Sequence, residues 1–140
     1  ISEGHKTTKN LLARKAFTVS MADAPHMTAC DYVGIVSANK VPDKFEKAGF
    51  HAVKSEFVDA PLIEELAVTV ECRLKSYDPE SCRMVGEIVN ISVDERVLDE
   101  NGKVDVAKAQ PITFDPFNNT YVVLGKTVGR AFHDGMNLKK

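Results

Sequence analysis

The chain has 140 residues, a formal net charge of -2 at neutral pH and a hydrophobic content of 44%. This length suits one domain with a core, so we expect a single domain over residues 1–140. A charge so near zero offers no basic surface for nucleic acid, and no apolar run approaches the ~20 residues of a membrane span. We expect a cytoplasmic protein that binds neither nucleic acid nor a membrane.

A short helix is predicted over residues 5–15. Leu11 and Leu12 supply its apolar stripe, and either Thr7 or Thr8 can cap its N-terminus. A hydroxyl beside the unpaired N–H groups of a first helical turn can also hold a phosphate group. Ordinary capping and phosphate binding therefore both stay open for these two threonines.

The next segments predict a strand over 16–21 and a helix over 26–36, followed by a loop that contains Ser37. A second short helix is predicted over 42–48, with Lys44 in its first turn. The N–H groups of a helix start attract anions, and a lysine there adds a full positive charge. Phosphate binding and an ordinary solvated surface lysine therefore both stay open for Lys44.

The second half of the chain predicts mostly strands. Residues 50–62 form a connector, and a strand over 66–75 carries alternate apolar residues that we expect on its buried face. A hairpin turn follows over 77–82, and the return strand over 83–93 contains Gly86, where a bulge or bend is expected.

The remaining segments are a polar loop over 94–102, a short helical or irregular segment over 104–109, a segment that contains Ile112 and Phe114, and a strand over 120–124. The carboxylates of the polar loop lack the spacing of a calcium loop, so we expect them to be solvated. Phe117 lies in the turn that precedes this last strand.

The motifs of several enzyme classes are missing from the sequence. GxGxxG, GxxxxGK[ST], GxSxG and HExxH do not occur, and three cysteines without CxxC spacing indicate neither a disulfide framework nor a zinc knuckle. We therefore predict no metal site and nominate no catalytic side chain. Any chemistry is expected to come from a bound organic cofactor.

The pattern DYxGxxSxxxVxDKFxxxGF, over residues 31–50, resembles the flavin reductase-like, FMN-binding split-barrel family, and especially its flavoredoxin-like branch. Further segments resemble the family in the same order along the chain: ARKAFTVSM, VDAPLIEELAVTVECRL, VGEIV, LDENGKVDVAKAQPI and YVVLGKTVG. The resemblance implies a mainly β fold, an antiparallel six-stranded split barrel with short helices. It also implies a homodimer, and a family domain whose N-terminal part precedes Ile1.

The cofactor implied by the resemblance is non-covalent FMN. Thr7 or Thr8 and Lys44 would hold its phosphate, with Ser37 and Lys40 as secondary candidates. Phe117 lies where related proteins have an aromatic residue near the flavin, although an aromatic residue at a subunit interface is an equal alternative.

The function implied is that of a flavin reductase-like oxidoreductase using NAD(P)H, or of a flavoredoxin-like electron carrier with a redox protein partner. An alternative is a cofactor-less split-barrel dimer that serves as a binding or scaffold module. The segment 81–83 favours this alternative, because it reads Ser-Cys-Arg where several relatives have a histidine. The threonine pair and Lys44 argue against it.

Overall fold

A computed structural model describes residues 1–139, and the elements within them confirm the mainly β class. The helices are α1 (Lys6–Arg14), α2 (Met27–Ile35), α3 (Lys44–Lys47) and α4 (Val106–Ala109), with 3-10 turns at Glu95–Val97 and Asp134–Leu138. The strands are β1 (Ala16–Ser20), β2 (Ala52–Lys54), β3 (Pro61–Ile63), β4 (Val68–Asp78), β5 (Arg83–Val93), β6 (Ile112–Asp115) and β7 (Thr120–Val123).

The described strands form three antiparallel sheets, with the orders β1-β4-β5, β2-β3 and β6-β7. The predicted barrel had six strands, whereas residues 1–139 contain seven and their sheets do not close on one another. Two of the seven strands, β2 and β3, lie in the predicted connector 50–62, where no strand was expected. Each has three residues, too few for an alternating pattern to distinguish a strand from a loop.

The central strand β4 buries residues from both of its faces. Cys72, on the apolar face that the sequence pattern predicts to be buried, is 4% exposed, and Glu71, on the polar face, is 0% exposed. The apolar face is open near Val70, whose neighbours Val19 and Ile91 are 54% and 56% exposed. The polar face is covered by the segment around the β2–β3 hairpin, which brings Ser55 against Glu71. Alternation therefore located the strand and part of its buried apolar face, but it did not indicate the burial of Glu71, which hydrogen bonds make possible.

We call Ser55, Glu71, Asn90 and Ser92 the Glu71 network. The carboxylate of Glu71 accepts hydrogen bonds from the Ser55 hydroxyl, from Nδ2 of Asn90 at 2.7 Å and from the Ser92 hydroxyl at 2.5 Å. Burial alone would raise the pKa of Glu71, but these donors outweigh it and hold the pKa below its ordinary value. The network connects both long strands to the segment that covers them.

Gly86 allows an aromatic ring to lie directly on β5. It pairs with Leu74 of β4, and a Cβ atom at position 86 would stand 2.4 Å from Cζ of Phe17. Irregular register occurs between Glu71 and Cys72 and again between Leu74 and Ser76. The expected irregularity is therefore present near Gly86, and the close approach of Phe17 gives a packing reason for the glycine.

The buried apolar side chains are spread over several elements rather than concentrated under one sheet: Leu11, Ala16, Phe50, Val58, Leu66, Cys72, Val97 and Ala109. Cys72 among them belongs to the predicted strand 66–75, on the face whose alternate apolar residues were expected to be buried. None of the helices within residues 1–139 has the length and apolar character that crossing a membrane requires.

Candidate functional site

A pocket of about 310 Å³ lies between the beginning of α1 and the end of α2, and we call it the α1–α2 pocket. Three predicted site residues, Thr7, Ser37 and Lys44, line it together. The other residues that line it come from the same two helix ends: His5, Lys6, Val33, Gly34, Ile35, Val36 and Ala38.

The N-terminal end of α1 contributes hydrogen-bond donors to this pocket. The N-cap residue His5 has an extended backbone and its side chain does not cap the helix. Within residues 1–139, no acceptor pairs with the backbone N–H of Lys6 or Thr7. These N–H groups lie at the positive end of the helix dipole, a position that favours an anion.

Lys44 contacts the opposite helix end. Its Nζ donates to the backbone oxygen of Val33 at 2.5 Å and to that of Val36 at 2.7 Å, so it caps the C-terminal end of α2. An ammonium group has three donors, and these bonds use two of them. The third remains for a ligand in the pocket.

The helix that carries Lys44 is shorter than predicted. It spans four residues, α3, with Asp43 as its N-cap, instead of the predicted 42–48. A helix this short has little dipole to attract an anion. The positive charge that Lys44 offers therefore comes from its own ammonium group rather than from a helix start.

Ser37 is exposed in the loop after α2, where its hydroxyl oxygen accepts a hydrogen bond from the N–H of Asn39 at 3.3 Å. Nδ2 of Asn39 donates to the backbone oxygen of Gly4 at 2.9 Å, which ties this loop to the segment before α1. The two walls of the pocket are therefore joined by a hydrogen bond, and the Ser37 hydroxyl can still donate to a ligand.

The structure distinguishes the two threonines that the sequence leaves equivalent. Thr8 is almost fully buried, and its hydroxyl donates to the backbone oxygen of Ser2 at 2.6 Å. Thr7 is exposed and lines the pocket. Thr8 therefore holds the chain that leads into α1, whereas Thr7 offers its hydroxyl to a ligand.

Phe117 lies apart from these residues. It is 93% exposed in the turn between β6 and β7 and does not line the α1–α2 pocket. The pocket residues were predicted to hold a phosphate group, whereas Phe117 was predicted to lie near the flavin ring. Its contact with the ring stays a prediction.

His5 and Lys6 line the pocket but were not among the predicted site residues. Their position directly before Thr7 could have indicated them. His5 is the N-cap of α1 and Lys6 its first residue, so both lie at the same helix end as Thr7. Lys6 adds a second ammonium group to a pocket that already contains Lys44.

A second, more apolar pocket of about 220 Å³ shares Thr7 with the first. Its lining continues along α1 into β1 and the turn before β3: Asn10, Leu11, Arg14, Ala16, Phe17, Thr18, Asp59, Ala60 and Pro61. Arg14 and Asp59 form an ion pair of 3.0 Å across it. A donor-rich pocket and a largely apolar one are thus adjacent on either side of Thr7.

The chain matches known proteins over most of its length. The family model described as "Flavin reductase like domain" matches residues 1–114. An uncharacterized protein of Aquifex aeolicus (strain VF5) is 37% identical over 108 residues, which is 76% of this chain and 55% of that protein. This chain thus spans little more than half the length of that curated relative.

Two solved structures are similar to the whole described fold. Flavoredoxin of Desulfovibrio vulgaris (Miyazaki F) superposes with a TM-score of 0.89 and 32% identity, over 96% of this chain and 73% of that chain. Flavoredoxin from Methanosarcina acetivorans superposes with a TM-score of 0.86 and 27% identity, over 99% of this chain and 73% of that chain.

Proposed function

Because the chain belongs to the flavin reductase-like domain family, we propose that it binds FMN non-covalently as the cofactor of an oxidoreductase. The observation that supports FMN is the convergence of Thr7, Ser37 and Lys44 on one pocket. Bound flavin would supply the redox chemistry, and the residues of this chain would bind and orient it.

The donors of the α1–α2 pocket suit the phosphate group of FMN. A phosphate dianion accepts several charge-assisted hydrogen bonds, and the pocket offers the N–H groups of Lys6 and Thr7, two hydroxyls and the third donor of Lys44. We propose Lys6 as an additional contact.

The flavin ring needs apolar surface beside the phosphate. Within the described residues, the second pocket provides such a surface on the far side of Thr7, with Leu11, Phe17 and Pro61 in its lining. We propose that the ribityl chain passes Thr7 and that part of the ring lies over this pocket. Phe117 is kept as a separate candidate for contact with the ring.

Riboflavin, which has the same ring but no phosphate, tests this assignment. The protein should be yellow when purified with its cofactor, and the stripped protein should quench FMN fluorescence on rebinding. We expect FMN to bind at least about tenfold more tightly than riboflavin, since the pocket donors act on the phosphate. Equal affinities for the two ligands would contradict the phosphate assignment, and a colourless protein that quenches neither would contradict flavin binding.

The identity of the electron donor distinguishes a flavin reductase from a flavoredoxin-like electron carrier. A flavin reductase should oxidise NADH or NADPH in the steady state with free flavin as acceptor. A flavoredoxin-like carrier should show no such turnover and should be reduced only by a redox protein partner. We favour the carrier, because the described fold is similar to two flavoredoxins, one of them 32% identical to this chain.

We propose that the chain is a homodimer. Its C-terminal part exposes large apolar side chains that a monomer would leave in water: Phe117, Val128, Phe132 and Leu138 are each at least 88% exposed. Aromatic residues exposed in this way are typical of protein interfaces. Light scattering on the eluting protein should give twice the chain mass, and Phe132→Ser should shift it towards the monomer; a monomeric parent protein would contradict the proposal.

A further inference from the structure

Three metal-ligating side chains meet at the open end of the β2–β3 hairpin. A ring nitrogen of His51 and a carboxylate oxygen from each of Glu64 and Glu65 lie within 4.8 Å of one another. We call these residues the hairpin cluster. They do not line the α1–α2 pocket or its apolar neighbour, so the flavin proposal does not involve them.

The hairpin fixes two of the three side chains. Ala52 and Ile63 form the last pair of the two strands, and the backbone N–H of Glu64 continues the ladder to the oxygen of His51 at 3.0 Å. One carboxylate oxygen of Glu65 accepts from the His51 backbone N–H at 3.0 Å, and the other lies 2.5 Å from Nδ1 of His51. The Glu65 side chain is only 19% exposed.

Glu64 completes the cluster with an uncommitted carboxylate. Within residues 1–139, its side chain makes no hydrogen bond or ion pair, although it lies beside the His51–Glu65 pair. Arg96 also reaches this end of the hairpin, where it donates to the backbone oxygen of Glu65 at 2.9 Å and pairs with Asp94 at 3.2 Å. Its charge is therefore already matched by a carboxylate.

From this geometry we propose that the hairpin cluster binds a divalent transition metal ion of the Zn²⁺ class. One imidazole nitrogen and two carboxylate oxygens form a ligand set that such ions accept at about 2.0–2.2 Å, with water in the remaining positions. Ligand atoms around such an ion stand about 3 Å apart, so His51 and Glu65 separate slightly and Glu64 closes in. The ion would join both strands of a short hairpin.

Calorimetric titration of the full chain with Zn²⁺ tests this site, with Glu64→Gln as the main variant. This substitution keeps the size of the side chain and breaks no contact within the described residues. We expect one Zn²⁺ per chain in the parent protein and at least a tenfold loss of affinity in Glu64→Gln. His51→Ala should lose at least as much.

His133→Ala is the matched control. His133 is also exposed, with Nδ1 2.9 Å from a carboxylate oxygen of Asp134, but no third ligand joins that pair within residues 1–139. Cys82→Ser controls for zinc binding by an exposed thiol. Both controls should bind as the parent does, and Zn²⁺ should raise the thermal midpoint of the parent but not that of Glu64→Gln. Unchanged affinity in Glu64→Gln, or equal loss in His133→Ala, would overturn the proposal; neither result would bear on flavin binding.

Discussion

The Glu71 network and the α1–α2 pocket use the same kinds of side chain for opposite purposes. In the network, hydroxyl and amide donors surround one carboxylate, and the buried carboxylate receives three donors from within the protein. In the pocket, hydroxyl, ammonium and backbone donors line one space, and the N–H groups of Lys6 and Thr7 have no acceptor within residues 1–139. Matched donors stabilise a fold, whereas surplus donors at a surface favour an external anion.

The strongest test of this comparison is Glu71→Ala. The substitution removes the acceptor of the Ser55 and Ser92 hydroxyls and one of the two acceptors of Asn90 Nδ2, so we expect the free energy of unfolding to fall by about 3 kcal/mol or more. Chemical denaturation followed by circular dichroism measures the loss. A change below about 1 kcal/mol would mean that the network contributes little to stability.

Lys44→Ala should act mainly on the ligand. We expect FMN affinity to fall by about 1 to 3 kcal/mol, because a charge-assisted contact with the phosphate is lost. Fluorescence quenching gives the affinity, and thermal unfolding shows how far the end of α2 depends on Lys44. Lys40→Ala is the control, because Lys40 lies in the loop between α2 and α3 and does not line the pocket. Equal FMN affinity in both variants would contradict the role of Lys44.

Thr7 and Thr8 allow the same comparison, between ligand binding and fold stability, within one turn of α1. Thr7→Val should weaken FMN binding by about 1 kcal/mol and leave stability unchanged, since its hydroxyl has no partner within the described residues. Thr8→Val should instead lower stability by about 1 kcal/mol, because the bond to Ser2 is lost. Paired titration and denaturation of both variants give the two effects. The reverse pattern would show that the residues have been assigned the wrong roles.

The smallest expected effect is a pH dependence of stability. The pKa of Glu71 is lowered in the folded protein, so its contribution is complete above the pKa of about 4.3 of the unfolded chain and disappears as the pH falls through the folded value. Glu71→Gln cannot titrate. The difference in unfolding free energy between the parent and Glu71→Gln should therefore be constant near neutral pH and shrink below about pH 4. A constant difference down to about pH 2 would mean that folding does not shift the pKa of Glu71.

Local signals in the sequence located much of the fold. The helices α1 and α2 and the strands β1, β4 and β5 lie close to their predicted positions, because capping residues, alternation and turn residues act over a few neighbouring positions. The family resemblance then indicated the mainly β class. Thr7, Ser37 and Lys44 were predicted from separate segments, and the structure brings them to one pocket.

What the sequence could not indicate depends on contacts between distant segments. The roles of Thr7 and Thr8 differ because the chain before α1 turns back to meet Thr8. The burial of Glu71 in β4 depends on Ser55, which lies in a segment that no periodic pattern defines. The hairpin cluster is likewise formed by strand pairing, which brings position 51 beside 64 and 65, and no short spacing motif describes it.

The approach of Phe17 to Gly86 makes two distant positions interdependent. Because a Cβ atom at 86 would stand 2.4 Å from the ring, replacing the glycine alone forces the ring or the strand to move. Homologous chains with a larger residue at 86 should therefore carry a smaller one at 17. Such paired exchanges in related sequences would reflect the contact that β1 makes with β5 across β4.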